Sequence, residues 1–221
     1  MTATCALDIG CRYNIFIYNQ NLPTTMSHQP HNHLEQWLAD EAAAQKHFDA
    51  GPGPGVASPE QIAGKTGLEM MRAMLHGDLP FAPIAKTLDF MLISIDKGHA
   101  VFQGTPGPQH FNPLGTVHGG WFATLLDSAL GCAVHTMMPP GRGYTTAELS
   151  VNIVRALTLK VPRVRAEGRV IHCGRQLATA DARLVGPDGT LYAHATTTCL
   201  VFDMHHKAVR GHRINCAPLP H

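Results

Sequence analysis

The sequence predicts an α+β domain in which an antiparallel sheet wraps one long, buried helix. Residues 121–136 are apolar or small on every side of a helical wheel, interrupted mainly by Thr124, Asp127 and Ser128, and a helix that is apolar all round belongs inside a core. Two strand-like runs precede it in LDFMLISIDKGHAVFQGTP (88–106). Four follow it: YTTAELSVNIVRAL (144–157), RVRAEGRVIHCG (163–174), QLATADARLVG (176–186) and LYAHATTTCLVFD (191–203). This order suits a sheet closed over a central helix, although order alone does not establish strand topology.

Taken along the chain, LEQWLADEAAAQKHF (34–48) is Ala- and Glu-rich with apolar positions near helical spacing, so a helix is expected there. GPGPGVASP (51–59) has linker composition. A helix is expected from Ser58 as N-cap and Pro59 at the first helical position to a stop near Gly77, weakened by Gly64 and Gly67. DLPFAPIAKT (78–87) reads as a loop, and Asp96-Lys97-Gly98 as the turn of the first hairpin. Pro187-Asp188-Gly189 turns between the last two strands. In the strand after the helix, Ala147, Leu149, Val151 and Ile153 are expected on one face, with Glu148, Ser150 and Asn152 opposite. The expected organisation is an N-terminal extension (1–57), partly disordered with one helix, a domain over 58–203 and a tail over 204–221. Residues 1–25 lack the basic and apolar regions of a signal peptide. Met26 offers a second plausible start, so those residues are expected to be either disordered or upstream of the true start.

Composition narrows the class. With 221 residues, 44% of them hydrophobic, the chain can bury a sizeable core as one domain with extensions. A formal net charge of +1 gives no sign of nucleic-acid binding. No apolar run approaches the roughly 20 residues of a membrane span, so a soluble, cytoplasmic protein is expected. The cysteines at 5, 11, 132, 173, 199 and 216 show no paired spacing, which favours free thiols over bridges. HQPHNH (28–33) and MHHK (204–207) lie in polar, tail-like segments without matching Cys or acidic ligands, and no metal site is expected. Neither Cys173 nor Cys199 has the partners of a nucleophilic Cys–His pair.

The stretch NPLGTVHGGWFATLLDSALG (112–131) carries the chemistry. A lone carboxylate, Asp127, stands where the pattern calls for core, and a buried unpaired carboxylate is costly. His118-Gly119-Gly120 opens the helix with backbone N–H groups that are unpaired, sterically open and at the positive end of the helix dipole. Such donors can stabilise an oxygen developing negative charge. The same glycines would also serve plain close packing of helix on sheet.

Asn112 six residues before His118, the HGG triplet, and Asp127 nine residues after His118 stand in this strand order. Together they resemble the PaaI-type hotdog-fold acyl-CoA thioesterases over roughly residues 60–203. The resemblance implies hydrolysis of an acyl-CoA to free acid and CoA, without metal or redox cofactor. It implies Asp127 as general base or nucleophile, and Gly119 or Gly120 as the N–H that polarises the thioester carbonyl. Asn112 would orient water or thioester and His118 would position the carbonyl. Thr146, with Thr145 as neighbouring candidate, would hold the catalytic water. Each has a plainer reading: a capped helix carboxylate for Asp127, a packing residue for His118, a turn cap before Pro113 for Asn112, and plain strand for Thr146. Arg155 and Arg163 could meet CoA phosphates or be solvated surface. Seven residues separate Gly120 from Asp127, about 10 Å along a helix at 1.5 Å per residue. One chain thus struggles to place both groups on one thioester, and the resemblance implies a homodimer, commonly doubled to a homotetramer, with sites shared between subunits. A non-catalytic acyl-CoA-binding protein is the alternative. A hydratase is disfavoured because no His lies at the needed spacing from Asp127.

Overall fold

The computed structural model describes residues 33–204. In order these form α1 (Leu34–Ala50), α2 (Pro59–Ile62), α3 (Gly67–Leu75), α4 (Pro83–Thr87), β1 (Phe90–Asp96), β2 (His99–Gly104), α5 (Gly119–His135), β3 (Arg142–Ile153), β4 (Val164–Cys173), β5 (Leu177–Val185) and β6 (Leu191–Asp203), with one 3₁₀ turn at Pro108–His110. The expectations for residues 1–32 and for the tail beyond Met204, both histidine-rich stretches included, lie outside the described residues.

The six strands form one antiparallel sheet in the order β1-β2-β4-β5-β6-β3. The expected wrap is present, for α5 packs against all six strands. Leu125, Leu126, Ala129, Leu130, Ala133 and Val134 on α5 are fully buried, so the helix is held by removal of apolar surface from water on most of its circumference. β4 crosses α5 most closely at Gly168. A Cβ there would stand 2.4 Å from the Ala129 carbonyl oxygen and 2.5 Å from its carbon. Because the obstruction is helix backbone, Gly168→Ala is expected to cost about 3 kcal/mol, read as a lower urea midpoint at unchanged slope.

Three local expectations need correction. The helix expected from 59 to 77 is two: α2 and α3 each begin with a capping box, at Ser58 and at Thr66, separated by Gly64 at φ +71°. A second N-cap inside the run ends the first helix as effectively as the glycine does. The expected loop at 78–87 contains α4, begun by Pro83 at its first position. Alternation along β3 changes phase: Thr146 pairs with Cys199 and Glu148 with Thr198, leaving Ala147 as a bulge. Tyr144 and Thr146 therefore share the inner face with Leu149 and Val151, while Ala147 is exposed.

α1 is bound to the sheet rather than trailing from it. Trp37, Ala44 and Phe48 are buried, and the Arg165 guanidinium lies 4.6 Å from the Trp37 ring centre while pairing with Asp40 at 2.7 Å. Arg163 forks onto Glu41 at 2.5 and 3.0 Å. Gln103, 2% exposed, joins them by donating to Glu41 and to the Trp37 carbonyl and accepting from Arg165. Charged groups at this depth are tolerated because each is paired and hydrogen-bonded.

Candidate active site

The loop before α5 is organised by Asn112. Its Oδ1 accepts from the N–H of Leu114 at 2.9 Å and of Thr116 at 3.3 Å, and its Nδ2 donates to Thr116 Oγ1 at 2.9 Å. This is an Asx-type turn, closed by Gly115 at φ +79°. His118 is the exposed N-cap of α5, and its Nδ1 accepts the Gly120 N–H at 2.8 Å. In the neutral ring this leaves the proton on Nε2. Trp121 N–H donates to the His118 carbonyl at 3.0 Å. Of the first-turn donors, the Gly119 N–H alone makes no bond to a described residue. It sits at the positive helix end.

Beneath this loop lies a residue that sequence reasoning missed. The His110 carbonyl accepts the His118 N–H at 2.8 Å, its ring is tilted against Trp121 with 5.4 Å between centres, and its Nδ1 accepts the Gly107 N–H. Its Nε2, 3.6 Å from the Asp89 carboxylate, makes no hydrogen bond to a described residue. Burial lowers the pKa of His110, and also that of His135 at the far end of α5. Both are therefore neutral in the fold near neutrality but take up protons near pH 6.5 once unfolded. Below that value the unfolded chain binds more protons, so this part of the stability is present above about pH 6.5 and lost as pH falls toward the depressed native values. The melting midpoint is expected to drop between pH 7.5 and 5.5, and less steeply in His135→Gln.

Asp127 lies half-buried on α5, on the side that faces the inner edge of β3. Thr146 Oγ1 donates to its Oδ1 at 3.1 Å. The bulge at Ala147 makes this contact possible, because strict alternation would have turned Thr146 outward and Thr145 inward. Thr145 is instead exposed. Asp127 and Thr146 open onto a cavity of about 700 Å³ that is also lined by Phe90, Leu92 and Phe102 and by Gln45 and Phe48 of α1. Asn112, His118, Gly119 and Gly120 do not line it. One chain thus joins the carboxylate to Thr146 and keeps both apart from the helix start.

The remaining candidates lie elsewhere. Arg155 is exposed in the segment after β3, with the charge of Asp188 nearby. Arg163 is engaged by Glu41 and is not available to a phosphate. Trp121 and Phe122 pack in the core, with Trp121 Nε1 donating to the Leu88 carbonyl at 2.8 Å. Cys132, beside Asp127, is pushed up to about 12 by burial and then by the Asp127 charge, so it stays a thiol rather than a nucleophilic thiolate. Among the described residues no three metal-binding side chains come together, and no helix is long and apolar enough to cross a membrane. What the arrangement offers chemically is one carboxylate, supported by a hydroxyl, at the edge of a largely apolar chamber.

Comparison with known proteins agrees with this architecture. Residues 114–193 match the model of the thioesterase superfamily. At the level of sequence alone, no curated protein matches the chain. The chain is similar to a putative thioesterase, a phenylacetic acid degradation-related protein, from Ralstonia eutropha JMP134: 27% identity, TM-score 0.54, covering 58% of this chain and 97% of that one. A thioesterase family protein from Silicibacter pomeroyi shares the fold at 23% identity and TM-score 0.53, over 62% of this chain and 96% of that one. The phenylacetic acid degradation protein PaaI from Thermus thermophilus is 28% identical, with TM-score 0.48, over 53% of this chain and 97% of that one. The six-stranded antiparallel sheet around α5, shared with the Ralstonia protein, is the hotdog fold of thioesterases, and residues 114–193 are the segment of this chain that is similar to the thioesterase superfamily.

Proposed function

We propose that the protein hydrolyses an acyl-CoA, with Asp127 as the catalytic carboxylate and the acyl group seated in the chamber beside it. The observation that carries this reading is the Asp127–Thr146 hydrogen bond at the edge of that chamber. Asp127 takes a proton from water, and the water oxygen attacks the thioester carbon. The carbonyl oxygen gains negative charge opposite the Gly119 N–H. Collapse of the tetrahedral intermediate breaks the C–S bond, and the CoA sulfur leaves with a proton. Attack by the carboxylate itself, followed by hydrolysis of the anhydride, uses the same groups.

In this reading His118 sets the helix start by holding Gly120, which leaves Gly119 as the oxyanion donor. Asn112 shapes the loop that delivers both. Thr146 orients the carboxylate or its water. The helix start and Asp127 meet across two subunits, and the surface for pairing is β3, an edge strand of 12 residues that a second copy related by a twofold axis can extend. The likeness to a phenylacetic acid degradation-related protein supports an aromatic acyl group, with short and medium chains as the alternatives. The test is release of CoA thiol from a panel of aromatic and straight-chain acyl-CoAs. Turnover of at least one supports the reading; tight binding of CoA esters with no turnover of any would replace it with a non-catalytic binding protein.

A further inference from the structure

Tyr144 stands two residues before Thr146 on β3 and shares its inward face. Its ring packs against His135 with 5.6 Å between centres. Its hydroxyl reaches over Gly131, where a Cβ would stand only 2.8 Å away. The helix position one turn beyond Asp127 thus carries no side chain, and the phenol occupies the space. Tyr144 lines the same chamber as Asp127 and Thr146, yet its hydroxyl makes no hydrogen bond to any described residue. Tyr144 is half-buried and its hydroxyl is not among the fully buried polar atoms, so the O–H is open to the chamber; once a ligand displaces water there, it needs a partner. Here the unpaired donor faces the space assigned to the acyl group, among walls that are otherwise largely apolar. Burial raises the pKa of this phenol well above its ordinary value, so it remains a donor across the working pH range.

We propose that Tyr144 is a specificity-determining residue whose hydroxyl donates to an oxygen on the acyl group, so that the preferred substrates carry a hydrogen-bond acceptor beyond the thioester. This rests on the acyl-CoA thioesterase reading above. Gly131 lies four residues past Asp127, about 6 Å along the helix. With the thioester carbon held beside Asp127, that distance corresponds to about five bonds of extended chain at about 1.2 Å per bond. The oxygen recognised is therefore remote from the reacting carbon, and a donor left unpaired by a plain alkyl chain penalises that chain.

The experiment compares kcat/KM for 5-oxohexanoyl-CoA and hexanoyl-CoA in the wild type, Tyr144→Phe and Gly131→Ala, with 3-oxohexanoyl-CoA as the positional control. The wild type is expected to favour the 5-oxo ester about tenfold over the plain one, with no such preference for the 3-oxo ester. The ratio should fall to near one in Tyr144→Phe. It should also fall in Gly131→Ala, which keeps the ring but displaces its hydroxyl. A wild-type ratio near one, or a preference that survives in Tyr144→Phe, overturns the proposal. Equal loss on both esters in Tyr144→Phe also overturns it, and makes the residue a support for Asp127 instead. If the wild type hydrolyses none of these esters nor any of the acyl-CoA panel, the thioesterase reading fails. The calorimetric affinities of the same esters for wild type and Tyr144→Phe then decide this inference separately: a tenfold difference abolished by the substitution sustains it, and equal affinities end it.

Discussion

Asp127→Asn is expected to lower kcat/KM for CoA release by a hundredfold or more, in line with the loss of a positioned general base. The substitution preserves shape, and the asparagine carbonyl can still accept the Thr146 hydroxyl that now bonds Oδ1 at 3.1 Å. What it removes is the capacity to take a proton or to attack carbon. A second measurement separates chemistry from architecture. A partly desolvated carboxylate on an otherwise apolar helix costs stability, so its neutral isostere should unfold at the same urea concentration or a higher one. Loss of activity with stability kept or raised is the signature of a residue retained for function. Activity within about tenfold of the wild type would move the chemistry off Asp127. A large drop in the unfolding midpoint would make the carboxylate a structural part of the helix.

Most of the framework was legible because it rests on local patterning. The all-round apolar character of α5 and the strand runs on either side of it need only period and turn chemistry, and Gly98 and Gly189 stand at the turns with positive φ. Local patterning does not register a bulge. Ala147 looks like one more inward residue, and only pairing with β6 shows that the backbone skips there. That skip puts Thr146 rather than Thr145 against Asp127, so the residue types of the candidate site were legible before their geometry was. Contacts between distant parts of the chain were likewise invisible. Arg163 reads as a phosphate ligand or a solvated cation until α1 brings Glu41 onto it from 122 residues away. The approach of Tyr144 to Gly131 and that of His110 to Asp89 also join separate elements, and neither leaves a mark in spacing. Asp127 and the HGG triplet were conspicuous for the opposite reason: a charge in an apolar run and two glycines at a helix start break local rules, and such breaks gather at functional sites.

Mixing two inactive variants is expected to restore about a quarter of the wild-type activity if the site is shared across a twofold interface. Within one chain, Gly119 and Asp127 lie eight residues apart on α5, about 12 Å along its axis, and the chamber that takes Asp127 excludes the helix start. Gly119→Pro is a suitable partner for Asp127→Asn. Gly119 is the first helical residue, and His118 before it has φ −65° and ψ 139°, a conformation compatible with a following proline. The substitution deletes the N–H that makes no bond to a described residue while keeping the helix start, although Ile153 Cδ1, 3.1 Å from a Cβ at this position, must give slightly. Alone it should reduce turnover by about a hundredfold, the scale of losing one oxyanion donor. In a random mixture half the dimers are mixed. Each mixed dimer holds one doubly altered site and one intact site, made from Asp127 of one subunit and Gly119 of the other. Recovery to about a quarter after co-refolding follows from that count alone. If both groups act within a single chain, every site in the mixture carries one lesion and activity stays at the level of the separate variants. That result would dispose of the shared site while leaving the role of Asp127 intact.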